Sequence, residues 1–204
     1  MRARGPFTPL SEAVRAESLR AFMAARPNPA ETWVFAYGSL IWDPCFAHVE
    51  RRPATIRGYH RAFNIWTVLA RGTPETPGLG LGLQAGSGGC RGVAYRMDPS
   101  YEHDGLMALW RREMFTGIYR PHWLTVDANG KPVSAIVFVV APDHPQYAGT
   151  LARDVTAEII ARAHGERGSC RDYLSNTCRG LTDVGIDDDN LGDLLVQVNA
   201  RADR

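Results

Sequence analysis

A glutamate on the apolar face of a predicted helix is the first residue of this sequence that could do chemistry. The apolar pattern predicts a helix over residues 100–115. Leu106, Leu109 and Trp110 define its apolar face, and Glu113 falls on the same face at helical spacing. Burying an ionised carboxylate costs several kcal/mol unless it is paired. We therefore expect Glu113 to be neutral, salt-bridged or catalytic.

A structural ion pair is the competing interpretation of Glu113. Arg111 and Arg112 adjoin it, but residues one or two apart on a helix do not face each other, so its partner would be a more distant arginine. The strongest rival carboxylate on the helix is Glu102, one helical repeat before Leu109. We interpret that rival as solvated or helix-capping, together with three further carboxylates: Glu50, Glu75 and Asp104.

The second candidate is an abrupt turn at the end of an apolar strand, in residues 32–42. Gly38 and Ser39 interrupt a run of large apolar side chains there. Glycine takes backbone angles closed to other residues and leaves its amide uncovered, so the segment from Tyr37 to Leu40 is predicted to offer several N–H groups to an anion or a carbonyl oxygen. The alternative is an ordinary buried strand that ends in a turn.

A third candidate is the loop of residues 71–78, Arg-Gly-Thr-Pro-Glu-Thr-Pro-Gly. Two prolines and two glycines predict an irregular segment, and its length is typical of a binding loop rather than a tight hairpin. Arg71 and Glu75 are its candidate functional residues. A solvated connection is the competing interpretation.

Strands and helices must position these residues. Thr8-Pro9 predicts the start of a helix that ends near residue 26. Residues 54–69 are predicted to form a long strand with a kink at Gly58. Residues 80–85 formally match the Gly-x-Gly-x-x-Ala dinucleotide pattern, but no helix follows, so we interpret them as a strand that pairs with residues 92–97 across a glycine-rich turn. Asn129-Gly130 predicts a hairpin between residues 122–126 and 133–140.

Three helices are predicted to close the chain. The first covers residues 147–164, with an apolar face through Leu151, Val155 and Ile159. The second follows the capping pattern Ser169-x-x-Asp172. The third follows the acidic run of residues 187–189, which we interpret as helix N-terminus chemistry rather than a metal site.

Composition limits the class of protein. The 204 residues are 45% hydrophobic and 22% charged, which is typical of a globular chain, and a single domain with appended helices is the simplest organisation. A net charge of +1 is not the excess of positive charge that is typical of proteins that bind nucleic acid or acidic membranes. The sequence contains no run long enough to span a bilayer, and residues 1–7 lack the apolar core of a signal peptide, so we expect a cytoplasmic protein.

Cysteines and histidines show no metal-ligand spacing. The four cysteines form no Cys-x-x-Cys pair, and the six histidines form no His-x-x-x-His pair, so no metal site is predicted. A Cys/His nucleophilic pair stays open because such partners meet in space rather than in order. Cys45 is the candidate thiol, since it follows the turn at residues 37–40.

Six segments together resemble the ChaC branch of the γ-glutamylcyclotransferases, in the bacterial form. The match runs in order from about residue 33 to the end, so residues 1–30 are predicted to be an N-terminal helical extension and residues 31–204 the family domain. The segments that carry the resemblance are Trp-Val-Phe-Ala-Tyr-Gly-Ser-Leu-Ile-Trp (33–42), Arg-Gly-Tyr-His-Arg (57–61), the loop of residues 71–78, Arg-Gly-Val-Ala-Tyr (91–95), Leu-Trp-Arg-Arg-Glu-Met (109–114) and Gly-Ser-Cys-Arg-Asp-Tyr-Leu-Ser-Asn-Thr (168–177).

The resemblance implies an α+β fold, a small mixed β-barrel with flanking helices, and a lyase that needs no cofactor. Its substrate would be glutathione, a small molecule, which it would cleave to 5-oxoproline and cysteinylglycine, and its catalytic residue would be Glu113. The substrate cradle would consist of Val34, Phe35, Ala36, Tyr37, Gly38, Ser39 and Leu40, with Tyr119 as a further substrate contact.

Other functions stay open at this point. The domain could bind γ-glutamyl peptides or small acids without cleaving them, could cleave other γ-glutamyl compounds, or could be a Cys/His amidohydrolase that uses Cys45. Fold alone does not separate these activities. The sequence leaves the oligomeric state undetermined.

Overall fold

The computed structural model describes residues 8–202, which form a closed five-stranded barrel with helices packed around it. The predicted α+β class and mixed barrel are confirmed. In chain order the helices and strands are α1 (Glu12–Ala24), β1 (Trp33–Ala36), β2 (His48–Thr67), β3 (Gly78–Met97), α2 (Glu102–Glu113), β4 (Tyr119–Ala128), β5 (Pro132–Val140), α3 (Arg153–Arg162), β6 (His164–Gly165), β7 (Gly168–Ser169), α4 (Cys170–Thr182) and α5 (Asp189–Ala202), with 3-10 turns at Ser39–Ile41 and Pro99–Tyr101.

The barrel runs in the order β1-β3-β2-β4-β5 and closes where β5 pairs with β1 in parallel. Its other neighbouring pairs are antiparallel. The predicted kink in β2 is confirmed, because Gly58 has φ +77° and the β2–β3 register shifts between Arg57 and Tyr59. The β4–β5 hairpin is also confirmed, with positive φ at both Asn129 and Gly130.

The predicted glycine-rich turn between residues 80–85 and 92–97 is wrong. Both segments belong to the single strand β3, and both pair with β2. Ala85 lies opposite Tyr59 and Gly89 opposite Arg57, so residues 86–88 bulge outward against the kink at Gly58. Glycine at position 88, with φ +93°, permits this bulge, and the ribbon bends there instead of turning back.

Helix α1 starts later than predicted. Its N-cap is Ser11, whose hydroxyl accepts a hydrogen bond from the Val14 amide, rather than Thr8. The segment before it is extended because the Leu10 amide donates to the Phe115 carbonyl at 2.8 Å. The ring of Phe22 stacks on the Trp123 indole at 4.9 Å, so α1 packs against the barrel. Whether residues 1–30 form a separate extension stays a prediction.

The C-terminal helices differ from prediction mainly in α3. It begins at Arg153 rather than residue 147, because Tyr147 forms a β-bridge with Ile65 and Gly149 has φ +71°. Val155 is consequently exposed rather than part of the apolar face. The predicted Ser169 cap of α4 is confirmed. No helix within residues 8–202 has both the length and the apolar character to cross a membrane.

Candidate active site

Two adjoining cavities lie where the barrel meets α2 and α4. We call the larger one, of about 680 Å³, the outer cavity, and the smaller one, of about 20 Å³, the inner recess. A volume of several hundred cubic ångströms is typical of small-molecule sites. Five residues line both spaces and mark their junction: Ser39, Leu81, Glu113, Tyr119 and Tyr173.

Glu113 ends helix α2 with its side chain 13% exposed. Burial raises the pKa of its carboxyl from 4.5 to about 7, and the nearby Arg112 guanidinium opposes that shift. Arg112 Nε lies 3.6 Å from Glu113 Oε1, so the prediction that an adjacent arginine could not pair with this glutamate is wrong. The arginine side chain is long enough to reach its neighbour at the end of the helix. Glu113 therefore exchanges its proton closer to neutral pH than an ordinary carboxyl does.

A carboxylate outside α2 holds Arg112 in place. Arg112 Nη1 donates to the Asp43 backbone carbonyl at 2.7 Å and lies 3.0 Å from Asp43 Oδ2. Asp43 directly follows the turn that carries Ser39, and its own amide donates to the Ser39 carbonyl at 2.9 Å. The turn, Asp43, Arg112 and Glu113 thus form one connected polar group.

Three buried tyrosines surround Glu113. The Tyr37 hydroxyl donates to the Phe138 carbonyl at 2.7 Å, and the Tyr119 hydroxyl donates to the Leu81 carbonyl at 2.8 Å. Burial raises the pKa of Tyr173 to about 12 and the pKa of Tyr37 and Tyr119 well above 10, and the Glu113 charge adds to each shift. All three phenols are therefore neutral at physiological pH, and those of Tyr37 and Tyr119 keep only their oxygen lone pairs free, because each donates its one hydrogen to a backbone carbonyl.

The predicted turn lines the inner recess with Gly38, Ser39 and Leu40. The Gly38 and Ser39 carbonyls accept hydrogen bonds within the 3-10 turn, whereas no acceptor among residues 8–202 takes the amides of Gly38, Ser39 or Leu40. Gly38 has an ordinary φ of −138°. Its small size matters instead, since a Cβ there would lie 3.0 Å from the Tyr173 hydroxyl.

Most of the predicted site residues meet around the recess, but two do not. Val34 and Ala36 are fully buried in the hydrophobic core and line neither cavity. Their role as substrate contacts stays a prediction. The predicted site residues that do line the inner recess are Phe35, Tyr37, Gly38, Ser39, Leu40, Glu113 and Tyr119.

The sequence interpretation missed Tyr173, which lines both cavities from α4. Its spacing within the apolar pattern of that helix suggested a core residue only. Arg71 was a candidate and does line the outer cavity, whereas Glu75 is exposed and lines neither.

The rival carboxylates have structural partners. Glu102 Oε1 lies 2.7 Å from Arg26 Nη1, and Glu50 Oε2 lies 3.0 Å from Arg96 Nε. The ion pair of Glu102 replaces the solvated or capping role expected for it, whereas Glu50 stays partly exposed, and Asp104 and Glu75 are exposed, as predicted. Of the acidic groups weighed in the sequence, Glu113 is the one that lines the inner recess.

Cys45 gains no support as a nucleophile. It lines neither cavity, and burial raises the pKa of its thiol, whereas a nucleophilic cysteine needs a lowered one. No group of three or more His, Cys, Asp or Glu side chains within residues 8–202 is arranged to hold a metal ion.

Comparisons with known proteins agree on one family. A family model described as ChaC-like protein matches residues 32–201. A glutathione-specific γ-glutamylcyclotransferase of Escherichia coli K12 is 42% identical over 90% of this chain and 80% of its own length. Human glutathione-specific γ-glutamylcyclotransferase 1 is 33% identical over 72% of this chain and 68% of its own.

Solved structures show the same fold. The crystal structure of a glutathione-specific γ-glutamylcyclotransferase from yeast superimposes with a TM-score of 0.75 and covers 84% of this chain and 96% of its own. At 24% identity this likeness concerns the fold alone. The predicted γ-glutamylcyclotransferase-like fold is thereby confirmed.

Proposed function

The chain belongs to the ChaC-like protein family, and from this premise we propose that it is a cofactor-independent, glutathione-specific γ-glutamylcyclotransferase. Its products are 5-oxoproline and cysteinylglycine. The observation that carries the proposal is Glu113, a carboxyl whose pKa of about 7 suits proton transfer at neutral pH, at the junction of a recess and a ligand-sized cavity.

The substrate supplies its own nucleophile. In a γ-glutamyl amide the free α-amine attacks the side-chain carbonyl carbon, which closes a five-membered ring and breaks the bond to the cysteine nitrogen. Tethering of this kind is worth about 7–11 kcal/mol in effective-molarity terms when the geometry is held. The reaction is an acyl transfer, so it involves no change of oxidation state.

Glu113 then carries the proton. Its carboxylate takes a proton from the α-ammonium group, so that the amine becomes nucleophilic, and the resulting carboxylic acid delivers it to the departing cysteine nitrogen. The second proton, which the attacking nitrogen loses as the ring closes, follows the same route, so that cysteinylglycine leaves as an ammonium ion and Glu113 returns to its carboxylate. A pKa near 7 lets the same group act as base and as acid. Arg112, fixed by Asp43, prevents a larger upward shift of that pKa.

The turn and the phenols hold the γ-glutamyl head. The free amides of Gly38, Ser39 and Leu40 donate to the substrate α-carboxylate or to the oxyanion that develops on the carbonyl oxygen. The hydroxyl oxygens of Tyr37 and Tyr119, whose own hydrogens go to the Phe138 and Leu81 carbonyls, accept hydrogen bonds from the substrate α-ammonium group, which supports the predicted substrate contact of Tyr119. The outer cavity then accommodates cysteinylglycine.

Incubation of the purified, metal-free protein with reduced glutathione tests the proposal. We expect 5-oxoproline and cysteinylglycine in equal amounts by mass spectrometry. Saturable binding of glutathione without either product would favour the non-catalytic binding module. Release of 5-oxoproline only from other γ-glutamyl compounds would support the cyclotransferase reaction and would contradict glutathione as its substrate.

Arg112→Gln is expected to shift the pH profile. Loss of an opposite charge at 3.6 Å raises the pKa of Glu113 further, by about one unit or more. The acidic limb of kcat against pH should move up by that amount, with lower activity at pH 7 and recovery at higher pH. Arg111→Gln, at the adjacent exposed position, is the matched control. An equal shift in both variants would exclude a specific pairing of Arg112 with Glu113.

A further inference from the structure

The loop between β2 and β3 is fixed to the small hairpin of β6 and β7. The backbone amides of Glu166 and Arg167 donate to the carbonyls of Leu69 and Ala70, each at 2.9 Å. The loop therefore continues as an extra pairing partner of the hairpin instead of projecting into solvent. Arg71 is the next residue along this ordered segment.

Glycines allow the close approach that this pairing requires. A Cβ at Gly165 would lie 2.5 Å from the Gly72 nitrogen, and one at Gly78 would lie 2.1 Å from the Arg71 carbonyl oxygen. Real Cβ atoms are not found so close to backbone, so a side chain at either position would push the loop away. The backbone of Arg71 is thus held on both sides.

The side chain of Arg71 is also held in one orientation. One guanidinium nitrogen donates to the Arg167 carbonyl and lies 3.4 Å from the Ser169 carbonyl oxygen. The guanidinium carbon lies 5.6 Å from the centre of the Tyr173 ring. Tyr173 in turn lines both cavities, whereas Arg71 lines only the outer one, so the cation packs on a ring at the junction and lies on the wall of the outer cavity.

Arg71 brings positive charge that the cavity wall does not neutralise. Arg112 is balanced by Asp43 and Glu113, whereas the other arginines that line the outer cavity, Arg111, Arg167 and Arg71, form no ion pair with a carboxylate within residues 8–202. Of these three, Arg71 is the one whose guanidinium is fixed by contacts. Its contacts with carbonyls and a ring orient the guanidinium but leave its charge unpaired. A pre-oriented guanidinium is well suited to bind a carboxylate through two parallel hydrogen bonds.

We propose that Arg71 binds the glycine carboxylate of glutathione and so selects the tripeptide. This inference rests on the proposed function, because the γ-glutamyl head at Glu113 directs the cysteinylglycine end into the outer cavity. The α-carboxylate of the head is held by the turn amides, which leaves the second carboxylate for Arg71. A γ-glutamyl amino acid is shorter by about 3.6 Å of backbone, so its carboxylate falls short of the guanidinium.

Glutathione and its C-terminal amide, which differ only in the glycine carboxylate, test the proposal. The wild-type protein should prefer glutathione by about 10- to 100-fold in kcat/KM, the value of a charge-assisted bidentate contact. Arg71→Gln should lose that preference, mainly through a higher KM for glutathione, and should cleave the amide as the wild type does. Arg71→Lys should keep part of the preference that Arg71→Gln loses, since lysine carries the positive charge but cannot form two parallel hydrogen bonds with a carboxylate.

Arg57→Gln is the matched control, since it removes an exposed arginine that lines neither cavity and should keep the preference. Equal cleavage of the acid and the amide by the wild type would overturn the role of Arg71 and leave the proposed function intact. An equal loss on both peptides in Arg71→Gln would make Arg71 structural. If the wild type cleaves neither peptide, the proposed function is wrong and this inference falls with it.

Discussion

Glu113→Gln is expected to lower kcat for glutathione by about 100- to 10,000-fold, the usual contribution of a general acid–base group. Glutamine matches glutamate in size and resembles its protonated form, but it cannot accept the proton of the α-ammonium group. KM should change little, because the turn amides and the phenols still hold the γ-glutamyl head. The measurement is the rate of 5-oxoproline formation at saturating glutathione, with binding of glutathione followed separately.

Glu102→Gln is the matched control for this experiment. It makes the same substitution on the same helix, but at a carboxylate that pairs with Arg26 and lines neither cavity. It should keep kcat within a few-fold of wild type. If Glu113→Gln also remained active, the general base would lie elsewhere, and Cys45→Ala would then test the remaining thiol alternative.

Local periodicity was sufficient to place Glu113 on a buried helix face, whereas its proposed catalytic role came from the family resemblance. The position of Glu113 depends only on a helix of known pitch and three apolar neighbours. Of the predicted residues 100–115, α2 covers 102–113, and residues 100 and 101 lie in the 3-10 turn before it. The raised pKa follows from the same fact, since an apolar face is buried against the barrel. The turn at Gly38 was found for a similar reason, because an interruption in an apolar run is visible in the sequence.

Contacts between distant segments were beyond sequence reasoning. Tyr173 reaches the recess only because α4 packs over the barrel at Gly38, and its spacing is equally typical of a core residue. Arg112 was excluded as a partner of Glu113 by a spacing rule that describes where side chains leave the helix. The rule does not limit how far a long guanidinium side chain extends.

The misassigned strand has a related cause. A run of glycines is locally compatible with a turn and with a bulge, so residues 86–89 do not identify which one forms. The outcome depends on β2, which is as long as β3 and kinked at Gly58, so that the two strands stay paired through the bulge. Pairing with β2 therefore determines that a bulge forms rather than a turn, and the sequence does not reveal pairing between distant segments.

Glu113→Gln should also stabilise the protein, and by more at alkaline than at acidic pH. The folded state raises the pKa of Glu113 from 4.5 to about 7, so the folded protein binds its proton more tightly than the unfolded chain does. Unfolding then releases protons between these values, and the free energy of unfolding falls as pH rises from about 4.5 to 7. Glutamine does not titrate, so the free energy of unfolding of the variant does not fall in this way.

The expected gain at pH 8.5 is roughly 3 kcal/mol in the free energy of unfolding, and it should be about 2 kcal/mol smaller at pH 5.5. Urea denaturation of both proteins at the two pH values measures it. Glu102→Gln is again the control: it removes the carboxylate that pairs with Arg26, so it should not stabilise the protein at alkaline pH. A gain for Glu113→Gln that is equal at both pH values would mean that Glu113 does not titrate in this range. That result would remove the physical basis for its use as both base and acid.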